Sequence, residues 1–241
     1  MSRTLVVGDI HGGLKALDQV LERAKVTTDD LIVFLGDYVD GWGQSFEVIN
    51  KLISLKSSHR CVFLRGNHDG LFLNWLTKSK DNPNWLLHGG QATIDSYRNR
   101  PYNFIKIHIN FLENLENYYL DSENRLFVHA GFTNVRGVGE EHFSKMLYWD
   151  RSLWETALAA RNLPLNDSYY PKRLKLYKEI FIGHTALSKI DMDTPFQAAN
   201  VWNIDTGAAF TNPLTLMDVD TKEFWQSDAL PSLYPNEKGR N

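Results

Sequence analysis

Six short apolar runs, each closing on Gly, Asp, Asn or His, constrain this chain more than any other feature: TLVVGD (4–9), LIVFLGD (31–37), CVFLRGNH (61–68), RLFVHAG (125–131), EIFIGHT (179–185) and VWNIDTG (201–207). Continuous β-branched and aromatic runs of this length suit strands buried on both faces, and the punctuation places polar residues at the strand ends. Between the first runs, Leu14, Leu17, Val20 and Leu21 form a helical stripe in 14–25, and Phe46, Ile49, Leu52 and Ile53 form another in 45–56. Strand alternating with helix predicts an α/β fold whose ligands gather beyond the carboxyl ends of the strands. A parallel sheet would bring those ends together.

Residues 70–120 break this rhythm. They are aromatic-rich, with helical spacing in LFLNWLTKS and FIKIHINFLENLENYY around the turn-like DNPN and HGG, and are expected to form a mainly helical insertion over the sheet edge. Residues 201–228 return to strands. The whole of 1–230 is expected to be one domain, followed by a frayed tail over 231–241.

With 26 Lys and Arg against 29 Asp and Glu, a net charge of -3, the chain has no basic field to attract nucleic-acid polymers or anionic membrane. Cys61 is the only cysteine, which excludes an internal disulfide and a thiolate metal site and suits a reducing cytoplasm. No membrane-spanning stretch or signal-peptide core is expected.

Asp9 and His11 in GDIHG are two apart and project to one side of an extended segment. They could form half of a metal site, or cap a helix and lie exposed. Asp37 and Asp40 in GDYVDG, Asn67 and His68 in RGNHD, His129 in HAG and His184 in GHT each have an ordinary reading as turn former or core histidine. Five successive runs ending this way make the metal reading collective: Asp, His and Asn without Cys suit Mn, Fe or Zn. Two such cations about 4 Å apart, joined by a carboxylate, supply a hydroxide at neutral pH.

The set GDIHG, GDYVDG, RGNHD, HAG and GHT, in this order, resembles the metallophosphoesterases. The likeness is to their phosphoprotein phosphatase branch, which includes serine/threonine protein phosphatases, the lambda phosphatase and symmetrical diadenosine tetraphosphate hydrolases. It implies a four-layer α/β (α+β) sandwich, two mixed β-sheets flanked by helices. It implies that Asp9 and His11 bind a first divalent metal, Asp37 bridges, and Asn67, His129 and His184 complete a second, with manganese expected. His68 is then the general acid, oriented by Asp40, and Arg65, Arg151 and Asn67 bind substrate during in-line attack by a metal-bridging hydroxide. Arg151 has a competing reading as a surface residue paired with Asp150.

Two positions depart from the family pattern. Gly41 stands where the protein phosphatases carry a phosphate-gripping arginine, so Gly41→Arg is expected to lower the KM for a phosphomonoester. Asp69 replaces the usual Glu and is expected to be structural. The first expectation for substrate is a phosphoprotein, cleaved by a serine/threonine phosphatase, since the HGG at 88–90 with Thr93 and Tyr97 resembles a segment of small bacterial and phage relatives. The competitors are a dinucleoside polyphosphate, with Trp75, Trp85, Tyr97 or Tyr102 as base platform, although aromatics at these spacings are more often core, a small phosphorylated molecule, and a non-catalytic binding module. Asp205 is expected to be a turn residue rather than a partner of a metal histidine.

Overall fold

The computed structural model describes residues 2–78 and 82–240; residues 79–81, where LFLNWLTKS ends and DNPN begins, lie outside the described residues, as does Asn241 of the expected tail. In chain order the elements begin with β1 (Thr4–Val7), α1 (Leu14–Arg23), β2 (Leu31–Phe34), α2 (Ser45–Ser58), β3 (Arg60–Phe63) and α3 (Asn67–Lys78). A helical stretch follows: α4 (Pro83–Trp85), α5 (Gln91–Tyr97) and α6 (Tyr102–Glu113). Then come β4 (Tyr118–Leu120), β5 (Arg125–Val128), α7 (Ser152–Ala160) and β6 (Glu179–Ile182). The last elements are β7 (Phe196–Ala198), β8 (Val201–Asn203), β9 (Thr215–Asp218), β10 (Phe224–Gln226) and α8 (Leu230–Leu233).

The strands form two mixed sheets, ordered β10-β9-β1-β2-β3 and β4-β5-β6-β8-β7. β1, β2 and β3 run parallel, with Val6 opposite Val33, and β9 closes on β1 antiparallel. In the second sheet β5, β6 and β8 are parallel, with antiparallel edges β4 and β7.

Alternation along the strands explains the continuous apolar runs. Leu5 and Val7 turn outward to pack with Leu17 and Val20 of α1. Val6, Val33 and Met217 turn inward against Phe127 and Phe181 of the other sheet, whose rings stack 4.9 Å apart. On the far side, Leu126, Val128 and Ile180 pack with Leu153, Trp154 and Ala157 of α7. Helices, sheet, sheet, helices is the expected four-layer order, and every central strand is buried on both faces. The strand ends are therefore not gathered by a single parallel sheet. They belong to two sheets packed face to face.

The helical stretch packs on α2 and on the edge strand β3. Phe46 of α2 meets the Tyr97 ring at 5.1 Å and the His108 ring at 4.7 Å, and Phe111 meets Phe63 of β3 at 5.2 Å. Trp85 and Tyr97 are core residues, and Trp75 packs against them half-buried, whereas Tyr102 is 67% exposed. Among the described residues no helix is long and apolar enough to cross a membrane.

His108 is fully buried, accepting from the Tyr97 hydroxyl at 2.7 Å and donating to Asn50 Oδ1 at 3.1 Å. Burial pushes its pKa down to about 4. A histidine depressed in the folded state must be protonated against the fold, so its contribution is fully present above pH ~6.5 and lost as pH falls toward 4, at most about 3 kcal/mol. His108→Gln is expected to flatten the fall in melting temperature over that interval. Parallel wild-type and variant curves would contradict the assignment.

Residues 231–240 are not frayed. Leu230 and Tyr234 are buried, and the Tyr234 ring stacks on Trp42 at 5.3 Å. The Tyr234 hydroxyl accepts from Lys15 N at 2.9 Å and donates to Gln44 Oε1 at 2.6 Å. Glu237 accepts from Gly43 N at 2.6 Å, and Arg240 N donates to Ala209 O at 2.8 Å. Two apolar anchors four residues apart hold down a segment whose other residues are mostly polar, which is why composition reads it as loose.

Candidate functional site

Two groups of buried side chains could each hold a cation, and they share one carboxylate. Asp9, His11 and Asp37 form the first; Asp37, His129 and His184 form the second; within each group one potential ligand atom per residue lies within 4.8 Å of the others. His11 Nε2 is 3.7 Å from Asp37 Oδ2 and 3.9 Å from Asp9 Oδ2, while His129 Nε2 is 3.4 Å from Asp37 Oδ2. Asn67 Oδ1 joins the second group, 2.9 Å from His184 Nδ1 and 3.3 Å from His129 Nε2.

The donor chemistry fits divalent metals of the harder kind. Two histidines direct Nδ1 at backbone carbonyls: His11 at Val39 O and Asp40 O, 3.1 and 3.0 Å away, and His129 at Leu35 O, 2.9 Å away. That hydrogen bond places the proton on Nδ1 and leaves the Nε2 lone pair facing the cluster. Asp9 Oδ1 and His184 Nε2 are buried without a hydrogen-bond partner among the described residues. Orphaned ligand atoms of this kind are costly unless something else satisfies them.

Local backbone geometry shows why these motifs are built as they are. His11, Asp37, Asp40 and His184 have φ of 50°, 52°, 73° and 65°, a left-handed conformation that costs a non-glycine residue roughly 1–2 kcal/mol. Hydrogen bonds hold it: Ile10 N and His11 N both donate to Asp37 O, at 3.0 and 2.9 Å. Asp69 accepts from Asp37 N, Tyr38 N and Gly66 N, each at 2.9 Å, so it ties the second motif to the third. At Gly66 and Gly183 a Cβ would fall 2.1 Å from the Asp37 and Asp9 carboxylates respectively; only glycine admits the approach.

His68 Nδ1 donates to Asp40 Oδ2 at 2.6 Å, leaving Nε2 for the cavity that the ring lines. Asp40 is wholly buried and also accepts from Trp85 Nε1 at 2.5 Å and Thr93 Oγ1 at 2.7 Å. Trp85 and Thr93 thus hold the carboxylate that orients His68, a role not visible in the sequence. The available signal was that a core tryptophan needs a partner for its indole N–H.

Charge in the cluster is unevenly shared. Burial opposes ionisation of Asp37, but the imidazoles of His129 and His68 outweigh it and hold that carboxyl well below its usual range. Burial, Asp205 and Asp37 together push Asp9 well above it. Burial lowers His129, yet Asp37 and Asp9 raise it to about 9, so a cation bound at its Nε2 would have to displace a proton, whereas burial and Arg240 depress His11, and burial, His129 and Arg151 depress His184. Asp205 is pushed up to about 6 by burial, although its Oδ1 accepts from Gly207 N at 3.0 Å as a turn residue would. It serves the turn and adds its charge beside Asp9.

The calcineurin-like phosphoesterase family matches residues 2–204 of the chain. The protein belongs to that family. A bis(5'-nucleosyl)-tetraphosphatase (asymmetrical), PrpE, of Anoxybacillus flavithermus is 25% identical over 95% of this chain and 94% of its own length. The serine/threonine-protein phosphatase 6 catalytic subunit of Drosophila melanogaster is 36% identical over 66 residues, 27% of this chain and 22% of that one. Among solved structures, a proposed diadenosine tetraphosphatase superposes with a TM-score of 0.64 at 18% identity, over 93% of this chain and 92% of the other. The two-sheet architecture is thus that of the metallophosphoesterases.

In this metallophosphoesterase a cavity of about 580 Å³ opens over the cluster, lined by His11, Asp37, Asn67, His68 and His184. Arg151 and Lys189 also line it, with the aromatics Trp149 and Phe210. Arg151 donates to Thr185 Oγ1 at 3.1 Å. Its competing reading as a partner of Asp150 is not realised among the described residues, where Asp150 instead accepts from Ser152 N and Leu153 N at the start of α7, both at 3.0 Å. Arg65 corrects another expectation: its guanidinium donates to Glu113 O at 3.1 Å and Leu115 O at 3.5 Å and is not among the cavity-lining residues. The Glu113 carbonyl, at the end of α6, has no intrahelical donor, and the Arg65 guanidinium supplies one. Arg240 lines the cavity instead, from a segment expected to be loose.

Proposed function

We propose that Asp9 and His11 on one side, His129, His184 and Asn67 on the other, and Asp37 between them hold two divalent cations, manganese first among them, and that a dinucleoside polyphosphate is the substrate. The observation that carries the substrate reading is the cavity wall: Arg151, Lys189 and Arg240 offer three cations where one phosphate needs fewer, with Trp149, 45% exposed, available to a base. The full-length likeness to a bis(5'-nucleosyl)-tetraphosphatase supports it.

A cation pair would supply a nucleophile from water near neutral pH and polarise the phosphoryl oxygens. The protein's own groups do the rest. Asp40 fixes the ring of His68, which delivers a proton from Nε2 to the departing oxygen as its bond to phosphorus breaks. Arg151 neutralises charge on the equatorial oxygens, and Asn67 both positions His184 and offers its amide to substrate. The same chemistry fits a cytoplasmic enzyme, where its substrate would be found.

A serine/threonine phosphoprotein is the second reading, favoured by the 66-residue stretch shared with a protein phosphatase. The test is one panel with manganese-loaded protein: diadenosine tetraphosphate against phosphoserine, phosphothreonine and phosphotyrosine peptides. We expect kcat/KM for the dinucleotide to lead by at least about tenfold, a difference of ~1.4 kcal/mol in transition-state binding. A lead for the phosphopeptides would replace the first reading with the second.

A further inference from the structure

We propose that Arg240, reaching in from the segment that follows α8, grips the substrate phosphate in place of the arginine that Gly41 lacks. The inference rests on phosphoester hydrolysis at this site and not on which ester is cleaved. Gly41 has φ of 115°, and a Cβ there would lie 3.3 Å from Arg240 Cγ. A Cβ on Gly89, from the HGG segment, would lie 3.0 Å from the same atom, and Gly41 N donates to Gly89 O at 3.2 Å. Two glycines from separate loops thus form a slot, and the Arg240 stem occupies it. A side chain beginning at residue 41 would start where that stem already runs.

The head group has the chemistry of a clamp. Arg240 lines the cavity together with His11 and Asp37. Its Nε is buried with no hydrogen-bond partner among the described residues, and its guanidinium carbon is 5.5 Å from the centre of the Phe210 ring. A planar guanidinium at the cavity wall is suited to two oxygens of one phosphate. Arg151 lines the same cavity, so the two guanidinium groups are offered to one ligand.

The segment that delivers it is anchored at several points. Gly239, with φ of 65°, passes so close to Trp42 that a Cβ would fall 2.7 Å from the indole. With Tyr234 stacked on Trp42 and Glu237 bound to Gly43 N, residues 234–240 are tied to the loop that carries Asp37 and Asp40. Gly41→Arg is therefore not expected to lower the KM, because the new side chain would collide with Arg240 on a backbone that disfavours any side chain.

The decisive variant is Arg240→Met, which keeps the stem in its slot and removes the donors. With p-nitrophenyl phosphate and manganese, we expect KM and the inhibition constant for inorganic phosphate to rise at least about tenfold, the usual effect of losing a charge-assisted hydrogen bond. Melting temperature and manganese stoichiometry should stay at wild-type values. Arg240→Lys should recover part of the loss, and added guanidinium should recover part of it in Arg240→Met. Values within about twofold of wild type for both constants would overturn the proposal, as would a loss that neither lysine nor guanidinium relieves. A wild-type protein inert toward every phosphoester would instead overturn the phosphoester reading beneath it.

Discussion

Asp37→Asn is expected to reduce turnover of any phosphoester to below about one thousandth of wild type, and to lower bound manganese from two ions per chain toward one or fewer. Asp37 is the one residue common to both ligand groups, and its Oδ2 lies between His11 Nε2 and His129 Nε2 at 3.7 and 3.4 Å. Oδ1 is already used, accepting from His68 N at 2.9 Å. An asparagine can satisfy that donor only by turning its NH2 toward the cluster, where a second donor and no charge would face the cations. Metal stabilisation of phosphoryl transfer is worth several kcal/mol, and each 1.4 kcal/mol is a factor of ten. Elemental analysis alongside the rate assay separates metal loss from misfolding. Unchanged activity would mean the centre lies elsewhere.

His68→Asn should lower kcat by about 10²–10⁴-fold on an ester with a poor leaving group, such as phenyl phosphate, and far less on 2,4-dinitrophenyl phosphate, whose leaving group needs no proton. The ring is placed for this by a chain of contacts: Asp40 Oδ2 holds Nδ1 at 2.6 Å, and Trp85 Nε1 and Thr93 Oγ1 hold Asp40. Asp40→Asn should reproduce the leaving-group pattern, since the amide cannot accept from all three donors with both of its heteroatoms. A purely structural role for His68 would depress both esters equally. An equal loss would therefore reassign it from proton donor to scaffold.

Much of the site was legible because its chemistry is local. GDIHG, GDYVDG, RGNHD, HAG and GHT bring Asp9, His11, Asp37, Asn67, His129 and His184 to strand ends by residue type and spacing alone, and the structure brings these six together in one cluster. The same locality made Asp69 readable as structural: a short carboxylate two residues past Asn67 meets the N–H groups of Asp37, Tyr38 and Gly66. Arg65 misled because adjacency to a motif says nothing about where a flexible guanidinium finds its acceptors. Trp85 was readable as core but not as a hydrogen-bond donor to Asp40, since its partner lies 45 residues away.

By itself the sequence determined an α/β chain with carboxylates, imidazoles and an amide at its strand ends, and its resemblance to the metallophosphoesterases marked Gly41 as a departure where relatives carry an arginine. Apolar period and strand-end residue type are properties of a few consecutive residues, so they survive without knowledge of the fold. Apolar period could not divide the strands into the two facing sheets that the resemblance implied, because β5, β6 and β8 carry the same buried apolar pattern as β1, β2 and β3; the tertiary structure assigns each strand to its sheet. It also decided that residues 230–240 fold back onto the Asp37 loop and set Arg240 beside Gly41. That contact joins positions about two hundred residues apart and depends on Trp42, Tyr234 and two glycines whose packing no period records.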